Sequence, residues 1–273
     1  MKNPNKEEFC LYGQNSKKET KNEEKSRLFE KNITFAGQKK ISKPQKYSLH
    51  MEEKQYVIQY EDVDLSFDKM ILTGINLTIE KGEFVYLIGK TGSGKSSLLR
   101  SIYADIPIEA GAARVCGFDL NKMRRSQIPM LRRKLGIVFQ DFQLLKDRSV
   151  FDNLAFVLRA TGMKDKQAMK ERILQALDDV GLLQKAEEQA CDLSEGEMQR
   201  VSIARAIVNN PELILADEPT GNLDPITSEE IVELLMQINK KHGTTVLMAT
   251  HDYIVIDKFR SKVIACEDGK IVS

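Results

Sequence analysis

An α/β fold is predicted by three features of the sequence: short apolar runs alternate with helix-period segments, a Gly-rich loop joins one such run to a helix, and a carboxylate pair ends another. QYVIQY (55–60) and INLTIE (75–80) read as strands, and FVYLIG (84–89) as a buried one. SSLLRSIY (96–103) opens a helix, and LGIVF (135–139) is a further apolar run. A mostly helical stretch follows, in which Met169, Ile173, Leu174, Leu177 and Val180 keep helical spacing and Gly181 stands where a C-terminal cap belongs. Strands then return. LILAD (213–217), a helix through Ile231, Leu234, Leu235 and Ile238 that ends at Gly243, TVLMA (245–249) and a last hairpin turning at Asp268 and Gly269 complete the core. A helical insert therefore divides an α/β core.

Across 273 residues, 41 Lys plus Arg stand against 40 Asp plus Glu, so the chain carries no global signature of nucleic-acid binding. The charge is uneven: residues 1–50 carry a net +6 and residues 51–273 a net −5. The first segment is rich in Lys, Asn, Ser and Glu, lacks apolar periodicity and is expected to be disordered. Two readings of it stand: a basic tail for anionic lipid or a partner, or sequence upstream of a natural start at Met51. Residues 51–273 have the size of one large domain. Cys10, Cys116, Cys191 and Cys266 lie far apart without a C-x-x-C pair, which suggests neither zinc nor a disulfide framework and fits a reducing compartment. No apolar stretch approaches the ~18 residues of a membrane span, and no signal-peptide core follows the first Met. A membrane role requires a separate chain.

GKTGSGKS (89–96) fits G-x-x-x-x-G-K-[ST] and lies between an apolar strand and a helix, the context of a phosphate-binding loop. Glycines let successive backbone N–H groups turn inward around phosphates, and the helix N-terminus adds partial positive charge. Lys95 is placed to neutralise β and γ oxygens, and Ser96 to ligate Mg²⁺. LILADEP sets four apolar residues before Asp217 and Glu218, so both carboxylates emerge at the end of a buried strand, beside the phosphate loop in such sheets. Asp217 can hold Mg²⁺ through water, and Glu218 is the candidate general base for the attacking water.

With these motifs the sequence resembles the ABC ATPase family over residues 55–272. Further motifs in the family's order carry the resemblance: Gln140 after GIVF, LSEGE (193–197), GNLD (221–224) and His251 in ATHD. It implies a RecA-like P-loop core, an antiparallel β subdomain and a helical signature subdomain, with ATP and Mg²⁺ as ligands. Gly89, Lys90, Thr91, Gly92, Ser93, Gly94, Lys95, Ser96 and Ser97 then form the phosphate loop, with Ser96, Gln140 and Asp217 around the metal. Gln140 resembles the residue that senses Mg²⁺ and water and couples to a membrane partner, and His251 the γ-phosphate switch histidine. Phe67 resembles the aromatic that stacks on adenine, with a core phenylalanine as the competing reading. Ser194 and Gly196 resemble signature residues that contact nucleotide on the opposite subunit, and Asp224 one that crosses that interface. One phosphate loop and one signature segment per chain imply a two-fold homodimer.

The family's usual LSGGQ is altered here by Glu195 and Glu197. Ser194 and Glu197 have capping-box spacing, whereas Glu195 adds negative charge near a γ-phosphate and would slow closure unless it points into solvent. The cluster Arg124, Arg125, Arg132, Arg133 and Lys134 lacks interleaved aromatics for base stacking and reads as a solvated face or a contact with a membrane partner. Within the family, IPMLRRKLGIVFQDFQLLKDRSVFDNLAFVL resembles the FtsE group of cell-division ATPases. That resemblance implies a cytoplasmic subunit on the inner face of the membrane, an FtsX-like integral membrane partner, control of peptidoglycan hydrolases and no nucleic acid. An exporter or lipoprotein-release ATPase is the alternative.

Overall fold

The computed structural model describes residues 55–67, 70–267 and 269–272, and the side chains of Phe67, Met70 and Ile71 lie outside that description. The expected extension 1–50, the start at Met51 and the turn residue Asp268 fall outside it as well.

Two sheets are built from these residues. Strands β1 (Tyr56–Phe67), β2 (Met70–Glu80), β4 (Ala110–Val115) and β5 (Phe118–Asp119) form an antiparallel sheet in the order β2-β1-β4-β5. The second sheet runs β10-β9-β3-β8-β7-β6, from β3 (Phe84–Ile88), β6 (Leu135–Val138), β7 (Leu213–Asp217), β8 (Thr245–Thr250), β9 (Lys262–Glu267) and β10 (Lys270–Val272). Its strands from β9 to β6 are parallel, and only the edge strand β10 runs antiparallel.

The parallel strands are buried on both faces, which is why they read as continuous apolar runs. Tyr86, Ile214, Ala216, Val246 and Met248 face one cluster with the helices, and Val85, Leu87, Leu213, Leu215, Leu247 and Ala249 face the other with the antiparallel sheet. The first cluster holds α3 (Val150–Ala160), α4 (Lys166–Asp179) and α5 (Glu195–Ile207), the expected helical insert, together with α6 (Pro225–His242). Ser149 caps α3 and Asp165 caps α4, each accepting from backbone N–H groups of the first turn. The helical layer is tied to the core where Asp179, its side chain 1% exposed, accepts from Lys241 at 2.6 Å and meets His242 at 2.9 Å.

Several boundaries differ from the sequence reading. QYVIQY continues to Phe67 through a bulge at Asp62 (φ 51°), whose amide is taken by Asn76 Oδ1. INLTIE is only the second half of β2. The strand expected through Phe139 ends at Val138, because the loop that follows turns through left-handed Phe142 and Gln143. The pair β4 and β5 and the short helices α2 (Ile128–Arg132) and α7 (Tyr253–Lys258) carry no strong period and were not anticipated. The helix α4 ends with Gly181 at φ 72°, and α6 with Gly243 at φ 65°, both as expected.

Candidate functional site

The site lies where the parallel strands end. Ile88 pairs with Thr250, Asp217 with Ala249 and Val138 with Ala216, so the residues following β3, β6, β7 and β8 emerge at one edge of the sheet. Gly89–Gly94 leaves β3 and enters α1 (Lys95–Ile102) with Gly94 as its N-cap at φ 108°. No side chain caps this helix, which leaves its first amides for an anion. Thr91 and Gly92 are exposed at the loop tip and Ser96 is exposed at the helix start, with Ser97 half-buried behind it. The Ser93 carbonyl accepts from the Cys266 thiol at 3.1 Å, which fastens the loop to β9.

Lys95 is 4% exposed and its Nζ is fully engaged. It donates to Gly89 O at 2.8 Å and Lys90 O at 3.2 Å, and it pairs with Glu218 Oε1 at 3.3 Å. The other oxygen of Glu218 meets His251 Nδ1 at 2.9 Å. Because a carboxylate only accepts, Nδ1 carries the proton in this contact. Glu218 itself adopts a left-handed backbone (φ 48°), and its N–H bonds to Ala249 O at 3.0 Å. A non-glycine residue in that region stores strain, which is common at functional sites. Ser96 Oγ donates to Asp217 Oδ1 at 3.1 Å. Lys95, Ser96, Asp217, Glu218 and His251 thus lie together at one end of the sheet.

Burial pushes the Asp217 carboxyl above the usual carboxylate range, with the nearby Glu218 charge adding to the effect and the Ser96 bond opposing it. A carboxyl whose folded pKa is raised contributes stability at low pH and loses it as the pH rises through that folded value. Asp217→Asn is therefore expected to raise the melting temperature of the nucleotide-free protein at neutral pH. The advantage should shrink toward zero below the carboxylate range, as differential scanning calorimetry at several pH values would register.

Mg²⁺ is a hard cation that binds through one or two protein oxygens together with phosphate and water. Ser96 Oγ and Asp217 Oδ1 supply such a pair at the mouth of the phosphate loop, and the donor chemistry fits. Gln140 is not joined to them. It lies in a turn beyond β6, its Nε2 is 3.5 Å from Asn222 Oδ1, and its carbonyl accepts from Asn222 Nδ2 at 2.9 Å. A Cβ on Gly221 would come within 2.9 Å of Gln140 Nε2, so the GNLD segment packs directly on this side chain. Asn222 was missed in the sequence, where GNLD drew notice only for Asp224. The loop after Gln140 is held by α5: Arg205 donates to the carbonyls of Phe142 and Gln143.

At the signature segment, Ser194 caps α5 and forms a reciprocal capping box with Glu197. Glu197 Oε2 accepts from Ser194 N and from Ser194 Oγ, both at 3.0 Å, while Oε1 pairs with Lys185 at 2.7 Å. Lys185 and these bonds hold the Glu197 carboxyl below the usual range, so the charge is balanced within the subunit. Glu195 is exposed at the first position of the helix. Gly196 faces Thr227, where a Cβ would approach Cγ2 to 2.8 Å. Asp224 caps α6, accepting from Ile226 N, Thr227 N and Thr227 Oγ1, and the Thr227 hydroxyl foremost lowers its pKa.

The side chain of Phe67 lies outside the described residues; its backbone ends β1. Two members of the basic cluster are used internally. Arg132 donates to Tyr103 O at 3.0 Å and stands 5.8 Å from that ring, and Lys134 pairs with Glu212 at 2.9 Å. No helix among the described residues is long and apolar enough to cross a membrane.

Comparison with known proteins agrees with this fold. The ABC transporter family model matches residues 72–221. The cell division ATP-binding protein FtsE of Streptococcus pneumoniae is 44% identical over 218 residues, spanning 79% of this chain and 94% of that protein. Among solved structures, cbiO1 from Clostridium perfringens, part of the ABC transporter complex cbiONQ, superposes with a TM-score of 0.74 at 30% identity, over 81% of this chain and 88% of that one. The cassette MJ0796, a dimer in a post-hydrolysis state bound to ADP and Pi, gives 0.69 at 33% identity, over 79% and 97%. With its phosphate loop, paired carboxylates and signature helix in place on the same fold, this chain belongs to the ABC transporter ATPase family, within its FtsE group.

Proposed function

We propose that residues 51–273 bind ATP with Mg²⁺ and hydrolyse it as half of a homodimer that drives an integral membrane partner of the FtsX type in cell division. The observation that carries this is the convergence of Lys95 and His251 on the two oxygens of Glu218, beside the Ser96–Asp217 pair. Phosphates entering the loop would meet the α1 amides and draw Lys95 away from Glu218 toward the β and γ oxygens. Glu218, released from one partner and still oriented by His251, would then accept a proton from the attacking water. Ser96 and Asp217, joined by Gln140 once it leaves Asn222, would hold Mg²⁺, which would supply charge neutralisation on the phosphates. The preformed Lys95–Glu218 contact keeps the base occupied until nucleotide arrives.

Each site is completed by Ser194 and Gly196 of the second copy, with Asp224 at the seam, and the dimeric state of the similar cassette MJ0796 supports the pairing. Phe67 is assigned to the adenine. The groove beside Gln140, lined by Arg132, Phe139, Gln143, Val157 and Arg205, is the proposed dock for the membrane partner, which would hold the chain at the inner face of the membrane.

Co-purification from gently solubilised membranes tests the assignment. A partner with few spans and a large extracytoplasmic loop, accompanied by cell-wall hydrolases, is expected. A partner with a substrate cavity, or a lipoprotein-handling complex, would move the chain to the transport class.

Glu195 is proposed as a brake on closure, since its carboxylate sits one residue past Ser194 at the helix start that approaches phosphate. Glu195→Gly is expected to raise the hydrolysis rate several-fold in a steady-state phosphate-release assay. An unchanged rate would show that the carboxylate stays in solvent.

A further inference from the structure

Gln199 is fully buried in α5, five residues beyond Ser194, and its Nε2 donates to the carbonyl of Pro219 at 2.6 Å. Pro219 directly follows Glu218. The turn it belongs to is closed by Gly221 N on Glu218 O at 3.0 Å and by Leu223 N on Thr220 O at 3.1 Å. The Pro219 carbonyl fixes the orientation of the Gln199 amide, because an oxygen facing it would be repelled. The other end of that amide, Oε1, is buried without a protein partner among the described residues. Stranding an amide oxygen is unfavourable, and an apolar side chain of the same size would fill the space without doing so. What such a side chain could not supply is the bond to Pro219.

We infer that Gln199 is a positioning residue that couples the signature helix to the general base: it makes the placement of Glu218 in one site depend on engagement of Ser194 with nucleotide in the other. Resting on the assignment of Glu218 as base and of Ser194 to the opposite site, the inference adds a link between the two. Ser194 caps α5 and Gln199 stands on the next turn and a half of the same helix, so a shift of the helix start is carried along a rigid element. The shift reaches the Pro219 carbonyl through one short hydrogen bond and then the strained Glu218 backbone. A closed interface would in this way set the base of each subunit, and both sites would fire only from the closed dimer.

The test uses the full-length chain in the complex that co-purifies with it. Gln199→Leu is expected to bind ATP with unchanged affinity and to hydrolyse it about tenfold more slowly, a loss equal to about 1.4 kcal/mol. The loss should fall in kcat and not in KM, and the Hill coefficient for ATP should drop toward one. In a double-mutant cycle with Ser194→Ala, the double variant should be no slower than Ser194→Ala alone, since both remove the same communication. Gln199→Met, which keeps the side chain's length, serves if the leucine variant does not fold. A folded variant with unaltered kcat and Hill coefficient, multiplicative losses in the cycle, or failure of both variants to fold would each overturn the coupling. Glu218→Gln measured alongside separates the two levels: if it retains hydrolysis, the base assignment is what has failed. If it is inactive while Gln199→Leu behaves as wild type, only the coupling has.

Discussion

Glu218→Gln is expected to leave ATP binding intact and to lower kcat by about 10²–10⁴-fold, the range spanned by a general base. The side chain keeps its size, and the amide can still touch Lys95 and His251, which stand 3.3 Å and 2.9 Å from the carboxylate oxygens. What is lost is the proton acceptor and one negative charge beside the γ-phosphate position, so ATP should be held longer and the dimer should persist. Size-exclusion chromatography with ATP, together with a phosphate-release assay, reads both consequences. Undiminished hydrolysis would remove Glu218 from the role of base, and binding that collapses along with turnover would make it a structural residue of the loop.

Gly89→Ala is expected to weaken ATP binding by at least about 100-fold, equivalent to about 2.7 kcal/mol. At φ 153°, an added Cβ would lie 2.4 Å from Cys266 O and 2.7 Å from Ser93 Oγ. Cys266 belongs to β9, whose backbone is fixed by parallel pairing with β3, so it is the phosphate loop that must move. Gly92 offers a matched control, since at φ 81° an added Cβ meets nothing within 4 Å. Gly92→Ala pays only left-handed strain, about 1–2 kcal/mol, and should retain measurable affinity. Titration with a fluorescent ATP analogue ranks the two. Equal losses would mean that the glycines serve backbone conformation alone and that the approach of β9 to the loop is immaterial.

The elements that could be read from the sequence were those whose pattern is set locally. LILAD was read at the bounds of β7, because a strand buried on both faces leaves four successive apolar residues before its first carboxylate. The caps at Gly181 and Gly243 were legible for a similar reason, since a left-handed residue after a helix favours glycine. The strand β4 was not. Its sequence AGAARV has little β-branched character, and it is a strand because β1 offers it a ladder from Ile58 to Asp64. The end of β6 was misplaced by one residue, since Phe139 continues the apolar run while the loop held by Arg205, sixty-odd positions away, has already turned.

The same division runs through the site. Lys95, Ser96, Asp217 and Glu218 were named from motifs, because phosphate, metal and proton transfer each demand particular groups at fixed offsets from a strand end, and His251 was named from the family resemblance. The capping box of Ser194 and Glu197 was legible too, being a contact between residues three apart. The sequence could not say that Glu218 is held by both Lys95 and His251, that Gln140 rests on Asn222 rather than beside Ser96, or that Gln199 grips Pro219. Those contacts join residues 20 to more than 120 positions apart. No local spacing encodes them, and they exist only because parallel pairing of β3, β8, β7 and β6 brings four strand ends to one edge and lays α5 beneath it.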